Sequence, residues 1–420
     1  MGIREFGLFA SLSIVLAISG ACQAQGESSA KQAMESDDYP ILSWEARKRA
    51  DMFSDAGHGI ETLKDCGYTR VGFLKPEQLP LAEKLGMKAF VRDMEEPLAW
   101  EKLTDEQIDS TVKATIDKSK HSAAVIGYFI TDEPGVQRFA ALGKAVAAVR
   151  KYAPGKIAYI NLYPDYATLG APNLSQLGTA NYTDYLERFV KEVKPDFISY
   201  DNYRIISSND LQDAKPAESY WKNLLEVRRV AQEHNLPFWN IVCSNQIRPH
   251  TVPPSPANLQ LQAFTTLASG ADCLTWFTYY GGTAYRYAPV DFDGNRTTTW
   301  SYLKMVNEQV QVLGREMRKL KSTGVYFTSP APAQGLPALP GKLVQAVKCE
   351  TPLMIGEFSG PGGEKYAMIV NLSLQKSGKV FLTKNEAEGY VSPVDHSLIK
   401  FDKDGGFWLT PGQGALVKLK

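Results

Sequence analysis

Little in this sequence points to a metal, a nucleotide or a nucleic acid. Its 420 residues hold five cysteines and five histidines, with no CxxC pair and no Cys/His cluster, so a zinc site is not expected. There is no Gly-x-Ser-x-Gly elbow, no P-loop, and no glycine-rich fingerprint after an early strand, which leaves serine-hydrolase and nucleotide chemistry without support. Charge of one sign is also missing. Forty-six Lys+Arg balance forty-six Asp+Glu, so the basic face that a nucleic-acid binder needs is not expected. The apolar run near the N-terminus, Leu8 to Ile18, is shorter than the ~20 residues that cross a bilayer. What the chain does have is an ordinary globular balance, 44% hydrophobic and 22% charged, and 11% aromatic residues led by 20 Tyr and 18 Phe.

That short apolar run follows Arg4 and precedes Ser19-Gly20-Ala21-Cys22, the layout of a secretory signal over residues 1–21. The small residues before Cys22 resemble a bacterial lipoprotein cleavage box, although Ser19 stands where Leu, Val or Ile is usual. The resemblance implies a lipid on Cys22 and a protein held at the bacterial outer membrane or cell surface through that anchor alone. Plain cleavage after Ala21 or Ala24 would instead give a secreted or periplasmic protein. Residues 22–39 are polar and aperiodic, as a flexible tether is. Cys66, Cys243, Cys273 and Cys349 read as buried free thiols.

From Tyr39 a short apolar run and an amphipathic helix alternate. The expected strands are 41–44, 69–74, 88–92, 124–131, 156–162, 196–201, 238–243 and 273–279. The stretches between them repeat their apolar residues at three and four. Eight strand–helix units predict a (β/α)8 TIM barrel over 40–328, with 297–320 as the last helix. Residues 329–341, rich in Pro, Gly and Ala, read as a linker. Beyond it the helical period gives way to short alternating runs, which predict a small all-β sandwich over 342–420.

A barrel places its site at the C-terminal ends of the strands. That rule selects Asp93 with Glu95 and Glu96, Asp132 and Glu133, Asn161, the Tyr200–Tyr203 run, Ser244-Asn245-Gln246, and Trp276 with Tyr279 and Tyr280. Carboxylates, amides and aromatics together suit a sugar, which offers hydroxyls to bond and a C–H face to stack. Within GYFITDEPG (127–135) two acids end an apolar strand, a costly arrangement unless the acids are used. The bland alternatives are that Asp132 and Glu133 cap the next helix, and that Asp201 merely bonds loop amides. Taken singly, Trp276, Tyr279 and Tyr280 are more often core than platform, although Trp276 at its strand end is as readily either, and His58 alone among the histidines invites suspicion of binding.

The strand-four motif resembles that of the large clan of barrel glycoside hydrolases, including β-galactosidase-like and cellulase-like members. Together with YINLYPDYATLG, PDFISYDNY and the stretch from Arg248 to LTWFTYY, the chain is similar to a group of predicted bacterial surface glycoside hydrolases. The resemblance implies Glu133 as general acid/base, with Asp132 binding sugar or tuning its proton. The clan's nucleophile is a Glu at the end of strand seven, where this chain has WNIVCSNQIRP and no acid. Asp201 is then the expected second carboxylate, followed by Asp93, Asp291 and Asp293. Asn161, Tyr203, Gln246, Trp276 and Tyr279 are expected to hold the substrate, with Arg248 assisting if that substrate is acidic. The expected function is cleavage of O-glycosidic bonds in poly- or oligosaccharides, with no cofactor and no metal. The alternatives are a glycan-binding surface lipoprotein on a barrel without catalysis, and a barrel hydrolase of another class that uses its carboxylates for metal.

Overall fold

Eight strands run parallel because helical crossovers return the chain to the same end of the sheet, and they close into a barrel. In the computed structural model, which describes residues 37–44, 59–94, 98–168, 175–207, 215–247, 251–383 and 387–420, the strands are β1 (Ile41–Trp44), β2 (Arg70–Leu74), β3 (Lys88–Val91), β4 (Val125–Asp132), β5 (Ile157–Leu162), β6 (Ile198–Asp201), β7 (Phe238–Cys243) and β8 (Cys273–Phe277). They pair in sequence order, and β8 closes on β1 with Ile41 opposite Leu274. The intervening helices are α1 (Ile60–Asp65), α2 (Leu79–Lys84), α3 (Asp105–Ser119), α4 (Phe139–Tyr152), α5 (Tyr182–Arg188), α6 (Lys215–Glu233), α7 (Pro256–Ser269) and α8 (Thr298–Met317). The leader, Cys22, most of the tether, His58, Glu95, Glu96, Arg248 and His250 lie outside the described residues.

Local chemistry sets the helix ends. Thr104 and Gln107 form a capping box on α3, and Ser255 and Asn258 form another on α7. Each satisfies amides that the first turn leaves unpaired. Helix α7 ends at Gly270, whose φ of 77° is the left-handed turn that glycine adopts without strain.

The interior of the barrel is unusually aromatic. Trp44, Phe73, Phe90, Phe129, Tyr159, Phe197 and Trp239 interlock there, with Trp44 edge-on to Phe73 at 4.8 Å and Phe197 on Trp239 at 4.0 Å. These rings fill the barrel below the strand ends. At the opposite end Arg70, only 2% exposed, is paired with Asp38 at 3.1 Å. The Tyr39 hydroxyl donates to the Ala271 carbonyl at 2.7 Å. Together these contacts pin the incoming chain to the floor of the barrel.

The second domain begins earlier than the composition suggests. β9 (Lys321–Phe327) lies before the proline-rich stretch, yet it pairs antiparallel with β11 (Leu353–Ser359). The other strands are β10 (Val347–Lys348), β12 (Lys365–Asn371), β13 (Gly378–Leu382), β14 (Ala387–Val391), β15 (Leu398–Ile399), β16 (Gly406–Leu409) and β17 (Gly414–Leu419). A six-stranded sheet, β15-β14-β17-β12-β11-β9, packs on a three-stranded one, β10-β13-β16. Leu353, Ile355, Ile369, Val380, Phe407 and Val417 fill the space between them. The far face of the larger sheet, through Met354, Phe358, Met368 and Leu416, joins the barrel core.

Helix α7 sits between the domains, and every residue from Asn258 to Ser269 is buried. Contact there is close enough to require glycine: a Cβ on Gly356 would lie 2.0 Å from the Ala268 carbonyl oxygen. The polar residues of α7 brace β7. Gln262 bonds both the N–H and the carbonyl of Cys243, at 2.8 and 2.9 Å, and Thr266 accepts from Asn240 at 2.8 Å. Cys66, Cys243 and Cys273 are buried free thiols, whereas Cys349 is partly exposed.

Candidate active site

The β4–β5 ladder shifts register between Phe129 and Thr131. Such an irregularity bends a strand and re-aims the side chains that follow, and those side chains are the two acids. Asp132 comes to lie opposite Asn161 with its side chain exposed in the mouth. Glu133 has a φ of 43°, a left-handed conformation that costs a residue bearing a Cβ roughly 1–2 kcal/mol. Its surroundings hold it there. The Glu133 N–H donates to the Asn161 carbonyl at 2.9 Å, the Tyr185 hydroxyl donates to the Pro134 carbonyl at 2.7 Å, and the Val136 N–H donates to the Leu177 carbonyl at 2.9 Å. Strain maintained in this way is more typical of working sites than of plain turns. Neither acid caps the helix that follows, because α4 and the short turn before it have no side-chain cap.

Asn161 ties the carboxylates together. Its Nδ2 donates to Asp132 Oδ1 at 3.0 Å and to Asp201 Oδ1 at 2.9 Å. Its Oδ1 accepts from the Ser199 hydroxyl at 3.0 Å, which in turn lies 3.2 Å from the Tyr159 hydroxyl. With carboxylates on one side and a hydroxyl on the other, the amide has one sensible orientation. Asp201 is 5% exposed, and the nearby Tyr203 hydroxyl helps to stabilise its charge. The next residue, Asn202, pins the end of β6 by donating to Asn223 at 2.9 Å and Ser219 at 3.0 Å on α6.

These partners divide the protons. Burial, then Asp201, then Asp132, all push Glu133 well above the ordinary carboxyl range. Burial and Asp132 also raise Asp201, to about 7, with donation from Asn161 offsetting part of the rise. A carboxylate that accepts hydrogen bonds keeps its charge, while one crowded by charge without donors keeps its proton. Both acids are raised, and of the two Glu133, which lacks such donation, holds its proton more firmly. Tyr163 and Tyr166 feel the same field: after burial, Glu133 and Asp132 raise Tyr163, while Asp201 and Glu133 raise Tyr166. The Arg204 guanidinium lies 4.4 Å from the Tyr166 ring centre.

The structure thus gathers Asp132, Glu133, Asn161, Asp201 and Tyr203 at one place. It corrects the reading of the others. Asn161 is 2% exposed and engaged by both acids, so it positions the acids and has no face left for substrate. Trp276 is fully buried on the outer side of the barrel and donates to Asn307 on α8 at 2.9 Å. Tyr279 is likewise buried, bonded through its hydroxyl to Trp300 at 2.8 Å and packed on Tyr68. Gln246 donates its amide to the Thr251 carbonyl at 2.6 Å, bracing the loop after β7.

Among the reserve acids, Asp93 is ion-paired with Lys118 on α3 at 2.6 Å. Asp291 closes its own turn by accepting from the Asp293 and Asn295 amides at 2.9 and 2.8 Å. The strand that ends in Ser244-Asn245-Gln246 is the seventh, so the missing acid there is a property of the chain and not of strand counting.

The ring missed from sequence is Phe277. It stacks on Tyr203 at 5.1 Å and 28°, with Tyr285 edge-on at 5.1 Å. Strand alternation offered the signal: Cys273 faces the barrel interior, and residues two and four further on share its side. Among the described residues, no group of three His, Cys, Asp or Glu side chains is placed to hold a metal.

No family model matches the sequence, and no curated protein matches it. Solved structures match by shape. A catalytic mutant of Gan42B, a GH42 β-galactosidase from G. stearothermophilus, aligns with a TM-score of 0.60 and 8% identity over 92% of this chain and 99% of that one. A β-galactosidase from the psychrophilic Marinomonas ef1 aligns at 0.49 with 10% identity over 66% of this chain, and a Ruminococcus gnavus β-glucuronidase at 0.44 with 13% identity over 64%. This chain spans 60% and 50% of those two proteins, and their scores carry no further argument. By fold, the chain is a (β/α)8 barrel with a trailing β-sandwich, and it aligns with Gan42B over nearly the whole of both chains.

Proposed function

We propose that the chain is a glycosidase that hydrolyses O-glycosidic bonds in poly- or oligosaccharides. Glu133 gives its proton to the leaving oxygen as the bond from that oxygen to the sugar's anomeric carbon breaks. Asp201 attacks that carbon or activates the water that does so. The observation that carries this reading is the asymmetry between neighbouring acids: both are raised by burial, but Asp201 accepts from Asn161, while Glu133 has two negative neighbours and is raised further. One proton-holding and one charged carboxylate are what glycoside cleavage requires. Incubating the purified protein with plant and algal oligosaccharides, and following new reducing ends, tests it. Release that disappears in Glu133→Gln supports the proposal.

The absence of an acid at the end of β7 supports a second reading, a glycan-binding protein without catalysis. Binding with no release from any glycan would favour it. The sequence around Cys22 further supports an exported protein anchored at the bacterial surface by lipid; among the described residues no helix is long and apolar enough to cross a membrane. Mass spectrometry of the mature N-terminus should find a diacyl or triacyl Cys22. An unmodified Cys22 would remove the anchor from this account.

A further inference from the structure

Hydrophobic side chains are normally exposed singly and without consequence, but the loop between β8 and α8 displays two large rings. Tyr287 is 60% exposed and Phe292 59%. The loop leaves the C-terminal end of β8, so it forms part of the barrel's rim. The segment carrying Tyr287 is fixed on both sides. Before it, Arg286 exchanges both backbone hydrogen bonds with Gln246 beyond β7, at 3.0 and 2.8 Å. After it, Ala288 and Val290 are buried, and Val290 donates to the Tyr279 carbonyl at 3.0 Å. Phe292 rides on the turn that the Asp291 carboxylate closes. Both rings are therefore held out on pinned backbone.

Tyr287 is also the wrong residue for its backbone. Its φ is 54°, a conformation that glycine and asparagine adopt readily and a bulky side chain does not. Folding explains neither the ring's exposure nor its strain. Two residues earlier in the same loop, however, Tyr285 lies edge-on to Phe277, Phe277 stacks on Tyr203, and Tyr203 follows Asp201 by two positions at the end of β6. Aromatic surface thus leads from the reacting carboxylates across β6 and β8 to the rim.

We propose that Tyr287 and Phe292 are remote sugar platforms and that the substrate is an extended oligosaccharide, several residues long, whose outer units stack on this loop. The inference rests on the glycosidase reading and specifies the length of chain the site takes. An exposed ring held rigidly loses little freedom on binding, which makes it effective as a platform.

The test uses the full chain and calorimetric titration with neutral β-linked gluco-, galacto- and xylo-oligosaccharides of two to six units. In the unmodified protein, affinity for the series that binds should rise with length up to the longest chains. Tyr287→Asn should flatten that rise, weakening the six-unit ligand about tenfold and the two-unit ligand far less. Its melting temperature should stay level or increase, because asparagine tolerates the left-handed backbone. Tyr287→Phe should keep the dependence on length, and Phe292→Ala should reduce it. Equal weakening at every length, or none, overturns the platform while leaving the glycosidase reading intact. Failure to bind or cleave any glycan overturns both.

Discussion

Glu133→Gln is expected to lower kcat/KM on natural glycosides by about 10²–10⁴-fold, the usual worth of a positioned general acid. On aryl glycosides whose leaving group departs without a proton, the bond-breaking step should be affected far less. Comparing the two substrate classes isolates proton donation from binding. Equal activity of the variant and the unmodified protein on natural glycans would end the assignment.

The same substitution should show in stability. Glu133 holds a pKa raised above its ordinary value of 4.5, so between that value and the raised one the folded state binds more protons than the unfolded chain. Stability then falls as pH rises through this window, since folding must keep a charge in a buried, negative setting or hold its proton against solution. Glutamine carries no such charge. The denaturation midpoint of Glu133→Gln should therefore change less between mildly acidic and mildly alkaline pH, and should exceed that of the unmodified protein at the alkaline end. A midpoint with unchanged pH dependence would place the titrating group elsewhere.

Asp201→Asn is the second large effect. A nucleophile or base is needed whatever the leaving group, so kcat/KM should drop about 10²–10⁴-fold on natural and activated glycosides alike. The residual activity should carry a further mark. Asp201 is the largest cause after burial of the high proton affinity of Glu133, and removing that negative charge lowers it. The alkaline limb of the pH–rate profile, where Glu133 loses its proton, should move to lower pH. A variant that kept activity on both substrates would transfer the second role to Asp132, the other carboxylate held by Asn161. The reserve acids Asp93 and Asp291 are committed to Lys118 and to a turn.

The sequence by itself determined what is local. A period of two or 3.6 residues is a property of a few neighbouring side chains, so the eight strands, their helices and the change to an all-β tail could be read directly. The acids at the end of β4 were legible for the same reason: an apolar strand that ends in Asp132-Glu133-Pro134 carries its own anomaly. Tertiary structure decided what depends on partners far apart in the chain. Trp276 and Phe277 are adjacent and both aromatic, and only closure of the barrel determines that Trp276 meets Asn307 outside while Phe277 meets Tyr203 at the mouth. β9 looks like a continuation of the barrel until β11, on the other side of the linker, supplies its hydrogen bonds. Asn161 looks like a sugar ligand in sequence, but with Asp132 and Asp201 brought within 3.0 and 2.9 Å its amide is taken up by the acids. The raised proton affinity of Glu133 could be anticipated from the apolar residues before it and Asp132 beside it, but the donation from Asn161 that holds Asp201 lower could not, because it joins segments far apart in the chain.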